Sequence, residues 1–309
     1  MNRSLVAALT AIILALAAAS PCQADKTGQG ASPQPKAILD FPPGASTVHI
    51  PVRIVNDTVV VRVRVADRDM DFSFDSGSGA TYINADVFKS MGLDTHAGAV
   101  PMSLSIGDLT IRNAPVFSNP IYQHTDQDVA IVGLIGGDLL RNAVVRLDYE
   151  ARTLDITKPG SFTPPPGVPA IPVRGRSVPV VTANIGDVMS DEFIVDTGAW
   201  AVMVFHQFAA AHPELFTKTA AYLGSEVLSQ PICGLIVNSA YNVSTLSIAT
   251  APAVADWKVL LVPQSSCFDL KIDGLIGYDY LRLFTVTFDL PDSRLYLELS
   301  KRYAPASGN

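Results

Sequence analysis

Phe72-Ser73-Phe74-Asp75-Ser76-Gly77-Ser78 and Phe193-Ile194-Val195-Asp196-Thr197-Gly198-Ala199 are two versions of one sentence. Each runs through three mostly apolar residues into an Asp, then a hydroxyl residue, then a Gly. An acid at the end of a buried strand is costly as an isolated charge. The neighbouring Ser or Thr supplies a hydrogen-bond donor, and the Gly lets the backbone turn close to the acid. One Asp-Ser/Thr-Gly triplet is weak evidence, because chance supplies about 0.1 of them in a chain of this length. Two triplets gain weight only if their surroundings repeat as well.

The surroundings do repeat. Gly133-Leu134-Ile135-Gly136-Gly137-Asp138-Leu139-Leu140-Arg141 follows the first acid, and Gly274-Leu275-Ile276-Gly277-Tyr278-Asp279-Tyr280-Leu281-Arg282 follows the second. The same register carries on through Val145/Val286, Asp148/Asp289 and Leu154/Leu295. Upstream, Leu104-Ser105-Ile106 matches Leu246-Ser247-Ile248. The chain therefore reads as a tandem duplication, with a longer insert in the second copy between its Asp and its Leu-Ser-Ile.

Local patterning within each copy is that of β-structure. Val59, Val61, Val63 and Val65 alternate with Arg62 and Arg64, the period of a half-buried strand. Asn84 reads as the cap of a short helix running to Met91, ended by Gly92. Leu104 to Ile111 reads as a hairpin with Gly107-Asp108 in the turn. Pro159, Pro164, Pro165 and Pro166 cannot sit in a central sheet and mark a linker between copies.

These four motifs, in this order, resemble the retropepsin-like and pepsin-like aspartic proteases. The resemblance covers roughly residues 47 to 300. It implies an all-β fold of bilobal pepsin-like architecture, made of two duplicated retropepsin-like β-barrel units facing a central cleft. The corresponding divisions are a signal peptide at 1–24, a flexible lead-in at 25–46, a first lobe at 47–158, a Pro-rich linker at 159–170, a second lobe at 171–300 and a tail at 301–309. Asp75 and Asp196 would meet across a pseudo-twofold axis as the catalytic pair. Ser76 and Thr197 would brace the two loops, flanked by Gly77 and Gly198. Ser78 would hydrogen-bond the outer oxygen of Asp75, which its counterpart Ala199 cannot do. Gly136 and Gly277 would pack against the acid loops. The family also closes a β-hairpin flap over its substrate. Gly92 to Leu104 leaves little room for one, so the flap is expected in the second unit, including Gly234 to Tyr241.

The remaining features bound the setting. Arg3, the apolar run Leu5 to Ala19 and the small residues before Asp25 read as a signal peptide cut after Ala24, so the mature chain is expected to be exported, periplasmic or secreted. The run is short for a membrane span. Acylation at Cys22 is a weaker alternative, since Pro21 stands where a small residue belongs. Beyond Cys22 the chain has Cys233 and Cys267, an even pair that favours a disulfide in an exported protein and would restrict the flap; two buried thiols are the alternative. The five His show no metal-ligand spacing, and neither metal nor cofactor is expected. A net charge of −7 argues against nucleic acid or an anionic membrane surface as partner. The expected partner is a peptide or protein substrate, met by a monomeric catalytic unit with no stable membrane insertion. The alternative function is a non-catalytic peptide-binding or assembly protein that keeps the fold; a statine-type transition-state mimic would separate the two.

Overall fold

A computed structural model describes residues 36–119, 124–126, 129–230, 234–263 and 272–303. The proposed signal peptide, Cys233 and Cys267 lie outside the described residues.

Alternation makes the first barrel. Along Thr58–Val65 the valines at 59, 61, 63 and 65 are buried, while Arg62 and Arg64 face out. This strand pairs with Arg68–Phe74, which lies parallel to Val129–Ile135. Next comes Thr81–Asn84, antiparallel, and then Leu109–Asn119, parallel. Val100–Ile106 pairs with Leu109–Asn119 and returns to Thr58–Val65, closing a ring of six strands. Closure removes the open edges that would otherwise template association. As the sequence indicates, Asn84 caps the helix Ala85–Ser90, its Oδ1 accepting from the N–H groups of Asp86 and Val87.

The second copy builds the same ring with the same strand directions. Val180–Ile185 and Val188–Val195 pair antiparallel, and Val188–Val195 lies parallel to Gly274–Ile276. Met203–Phe205 follows, then Val254–Val262, then Gly234–Ile248, which closes on Val180–Ile185. The helix His206–Ala211 repeats Ala85–Ser90 of the first copy, so the insert expected from His206 onward begins after it and adds a π-helical turn Leu215–Thr219 and the strand Ala221–Gln230. That strand pairs with Gly234–Ile248 from Gln230↔Gly234 to Ala221↔Asn242, a long hairpin. Among the described residues the first barrel has no counterpart, so the length asymmetry is realised as a second-unit hairpin.

A six-stranded sheet joins the barrels. Its order is Ile171–Pro172, Arg294–Leu299, Phe284–Asp289, Val144–Asp148, Thr153–Thr157, Thr47–Pro51. The central contact is between equivalent strands of the two copies, with Val145↔Phe288, Arg146↔Thr287 and Leu147↔Val286. Arg146 and Thr287 occupy the same position in the repeat, so the pseudo-twofold axis passes through that pair. The apolar core is continuous from Val63 and Phe72 through Leu147 and Val286 to Phe193 and Val204.

The lead-in is not wholly outside the fold. Ile38–Asp40 pairs antiparallel with Leu109–Asn119, and Asp40 forms an ion pair with Arg112. The Pro- and Gly-rich composition around it conceals this short apolar strand.

The shared sheet makes a unitary unfolding transition the expectation. Leu147 is fully buried at its centre. Leu147→Ala should cost about 2–5 kcal/mol, and urea unfolding followed by Trp fluorescence should remain one transition with a lower midpoint. Two separated transitions would mean that the lobes are not coupled through this sheet.

Candidate active site

Each acid is delivered by a strand that ends against a parallel neighbour. Arg68–Phe74 leads to Asp75, whose N–H donates to the Ile135 carbonyl at 2.9 Å. Val188–Val195 leads to Asp196, whose N–H donates to the Ile276 carbonyl, also at 2.9 Å. One turn on, Gly137 N–H donates to the Ser78 carbonyl and Tyr278 N–H to the Ala199 carbonyl, both at 2.7 Å. The two Leu-Ile-Gly segments thus hold the two acid loops in identical fashion. A Cβ on Gly136 would lie 2.4 Å from the Ala80 carbonyl oxygen, and one on Gly277 would lie 2.3 Å from that of Ala201. Only glycine permits this approach, as the sequence reading of both positions requires.

Ser76 and Thr197 lock the loops together reciprocally. Ser76 N–H donates to Thr197 Oγ1 at 3.0 Å, and Thr197 N–H donates to Ser76 Oγ at 3.0 Å. The hydroxyls then donate across the interface, Ser76 Oγ to the Val195 carbonyl at 2.7 Å and Thr197 Oγ1 to the Phe74 carbonyl at 2.8 Å. Both residues are fully buried. Each hydroxyl accepts one bond and donates one, so four backbone groups from two lobes are satisfied by two side chains.

This lock brings the carboxyls of Asp75 and Asp196 side by side, within hydrogen-bonding reach of each other. Both are nearly buried, each 3% exposed. Asp75 Oδ1 accepts from Ser78 N–H at 3.0 Å. Asp196 Oδ1 accepts from Gly198 N–H at 2.8 Å and Ala199 N–H at 3.2 Å. The glycines leave room for the opposite acid: a Cβ on Gly77 would fall 2.4 Å from Asp196 Cγ, and one on Gly198 would fall 2.6 Å from Asp75 Cγ. Burial pushes the Asp75 carboxyl well above the usual carboxylate range, and the charge of Asp196 beside it adds to the push. Burial also raises Asp196, opposed by the N–H donors of Gly198 and by the hydrogen bond from Asp75. Two carboxyls so placed favour holding one proton between them.

One expectation is corrected. The Ser78 hydroxyl does not reach Asp75; it donates to the Ala80 carbonyl two residues on, at 2.8 Å, and only the Ser78 backbone N–H serves the acid. A local turn offers that hydroxyl a nearer acceptor. Ala199 supplies the same backbone contact to Asp196, so this position does not distinguish the two acids.

The asymmetry lies in a second tier of acids that the motif reading passes over. Asp138 and Asp279 stand at one register position behind the two Leu-Ile-Gly segments. Asp138 Oδ1 accepts from Thr81 Oγ1 at 2.8 Å, whereas the position equivalent to Thr81 is Val202, and Asp279 relies on the Tyr280 N–H at 2.8 Å and the Val202 backbone. Burial raises Asp138 to about 6 and Asp279 to about 7. Repetition of an Asp inside an apolar segment was the available signal. Beside them Tyr82 is nearly buried, its ring 5.6 Å from that of Phe117, and burial together with the charges of Asp138 and Asp75 raises its phenol.

The long hairpin reaches this centre from the second lobe. Ile236 and Ala240 pack in one cluster with Ala199 and Ala201, the residues just past Asp196. Residues 231–233, between its two strands in sequence, lie outside the described residues.

Two expectations follow. Thr197→Val orphans the Ser76 N–H and the Phe74 carbonyl, which should cost about 2–5 kcal/mol in denaturant unfolding. Adding Ser76→Ala should cost less than the sum of the single changes, because the pair acts as one network. A strictly additive pair would show that the lock is not cooperative. The second concerns pH. Acids whose folded pKa lies above the unfolded value of 3.8 give stability that is present below 3.8 and lost as pH rises through the folded values, here about 6 and 7. Calorimetry should therefore show Asp279→Asn losing much less stability than the unaltered chain between pH 5 and pH 8; equal slopes would contradict the assignment.

No protein-family model matches the chain, and no curated protein matches it. Among solved structures, the chain is similar to the aspartic proteinase from Irpex lacteus, with 14% sequence identity and a TM-score of 0.50 over 85% of this chain and 100% of that one. At that identity the likeness bears on the fold alone, and the fold is the all-β, bilobal plan of a pepsin-like aspartic proteinase.

Proposed function

We propose that this chain is an exported aspartic endopeptidase of retropepsin-like ancestry, hydrolysing peptide bonds with a water activated between Asp75 and Asp196. The observation that carries the reading is the buried pair of adjacent carboxyls, held from both lobes by Ser76 and Thr197. A peptide-binding protein has no use for two acids kept at this desolvation cost. Export rests on the reading of residues 1–24 as a signal peptide.

The chemistry follows from the shared proton. The ionised member of the pair takes a proton from water as its oxygen attacks the peptide carbonyl carbon. The protonated member gives its proton to the carbonyl oxygen, leaving a neutral tetrahedral diol. The pair again holds one proton, now on the other carboxyl. It passes to the departing amine nitrogen as the C–N bond breaks, while a diol hydroxyl returns its proton to the pair. No covalent enzyme intermediate forms. Backbone N–H groups of Gly77, Ser78, Gly198 and Ala199 favour the ionised form and oppose the upward push of burial. The hairpin Ala221–Gln230/Gly234–Ile248 is suited to cover an extended peptide from the second lobe.

Activity against a peptide library should follow a bell in pH, bounded by two apparent values that belong to the pair. Asp75→Asn and Asp196→Asn should each remove nearly all turnover while leaving thermal unfolding cooperative, and the double variant should be hardly worse than either single one. Substantial turnover in either single variant, or a statine-type peptide that neither binds nor inhibits, would sink the protease reading and leave the peptide-binding one.

A further inference from the structure

The two copies break their symmetry beside the acid loops. Residues 174–180 form a turn that leads into the second barrel, closed by reciprocal backbone bonds between Arg174 and Val180 at 2.8 and 2.9 Å. The Pro179 carbonyl accepts from Val195 N–H at 2.9 Å, so the turn is tied to the strand that delivers Asp196. Its other side rests on the first lobe. A Cβ on Gly137 would fall 2.2 Å from the Ser177 carbonyl oxygen. Arg141 closes this contact. Its Nη1 donates to Ser177 Oγ at 2.6 Å and to the carbonyl of Gly79, in the loop just past Asp75, at 3.3 Å.

The second copy keeps the arginine and lacks this strap among the described residues. Arg282 stands at the register position of Arg141, Trp200 at that of Gly79 and Tyr278 at that of Gly137. A side chain at 278 rules out the close backbone approach that Gly137 permits. Arg282 lies over the Tyr278 ring at 5.7 Å, and the Trp200 carbonyl is met by Asp279 N–H at 3.2 Å. A planar guanidinium bonded to two acceptors on different elements fixes their relative position. The acceptors here belong to the Asp75 loop and to a turn fastened to the Asp196 strand. Misplacing reacting groups by about 1 Å can cost about a hundredfold in rate.

We infer that Arg141 is a positioning residue, which acts through Ser177 and the Gly79 carbonyl to hold the Asp75 carboxyl in line with Asp196, and that Arg282 has no equivalent part. The contribution of Arg141 to turnover rests on the hydrolytic reading; its alignment of the two carboxyls does not.

Four variants of the full chain test this: Ser177→Ala, Arg141→Ala, the two combined, and Arg282→Ala. The titration of the acid pair is followed by the ¹³C shifts of the Asp75 and Asp196 carboxyls, assigned with Asp75→Asn and Asp196→Asn. Carboxyls held less closely repel less, so Ser177→Ala should bring the two apparent values of the pair nearer by about half a pH unit or more. Arg141→Ala also removes a charge near Asp138, which makes the neutral change at Ser177 the decisive one. On a cleaved peptide, Ser177→Ala should lower kcat by about tenfold with KM within about twofold. The combined variant should be hardly worse than Arg141→Ala, because the two residues form one contact. Arg282→Ala should leave both the titration and kcat as in the unaltered chain. An unchanged titration in Ser177→Ala overturns the inference. So does an equal effect of Arg282→Ala, a strictly additive combined variant or, in an active chain, Ser177→Ala with undiminished kcat. An unaltered chain that turns over no peptide would sink the hydrolytic reading instead, and the titration, which needs no substrate, would still decide the role of Arg141.

Discussion

Two carboxyls in contact inside a protein repel unless something outside them forces the approach and one proton is retained between them. Here the force comes from two hydroxyls, Ser76 and Thr197, each bonded to the backbone of the opposite lobe. The bonds satisfy peptide groups that would otherwise be buried unpaired, so opening the lock orphans several at once. The desolvation that raises both acids and the geometry that lets them share a proton are consequences of that one arrangement. Everything distal serves it: the parallel strands that aim the acids, the Leu-Ile-Gly segments that hold the loops, and the sheet that fixes one barrel against the other.

Much of this was legible in the sequence because a duplication carries symmetry with it. The repeated Asp-Ser/Thr-Gly and Leu-Ile-Gly motifs imply two like units, and two like units facing each other must bring equivalent residues together on an axis. Arg146 pairing with its own repeat equivalent Thr287 is the same logic seen in the sheet. The position of the long hairpin followed from chain length alone.

What was not legible depended on competition between local and distant partners. The Ser78 hydroxyl had two acceptors in reach, and the nearer one, the Ala80 carbonyl, prevailed. The strand Ile38–Asp40 is too short to stand out from a Pro- and Gly-rich background, and only its neighbour Leu109–Asn119 makes it a strand. Asp138 and Asp279 repeat in the sequence, but the burial of Asp138 and the partial burial of Asp279, which raise both, come from tertiary packing around the helices Gly137–Leu140 and Tyr278–Leu281.

The division of the lock between two halves of one chain also sets an order of events during synthesis. When the ribosome has released the first barrel, Ser76 has no Val195 carbonyl to bond and Asp75 faces no second acid. Val144–Asp148 likewise waits for Phe284–Asp289 at the far end of the chain. A nascent first half therefore holds Asp75 and Ser76 without the partners that the second copy supplies. Phe284–Asp289 and Arg294–Leu299, made late, complete the sheet that fixes the two acid loops against each other.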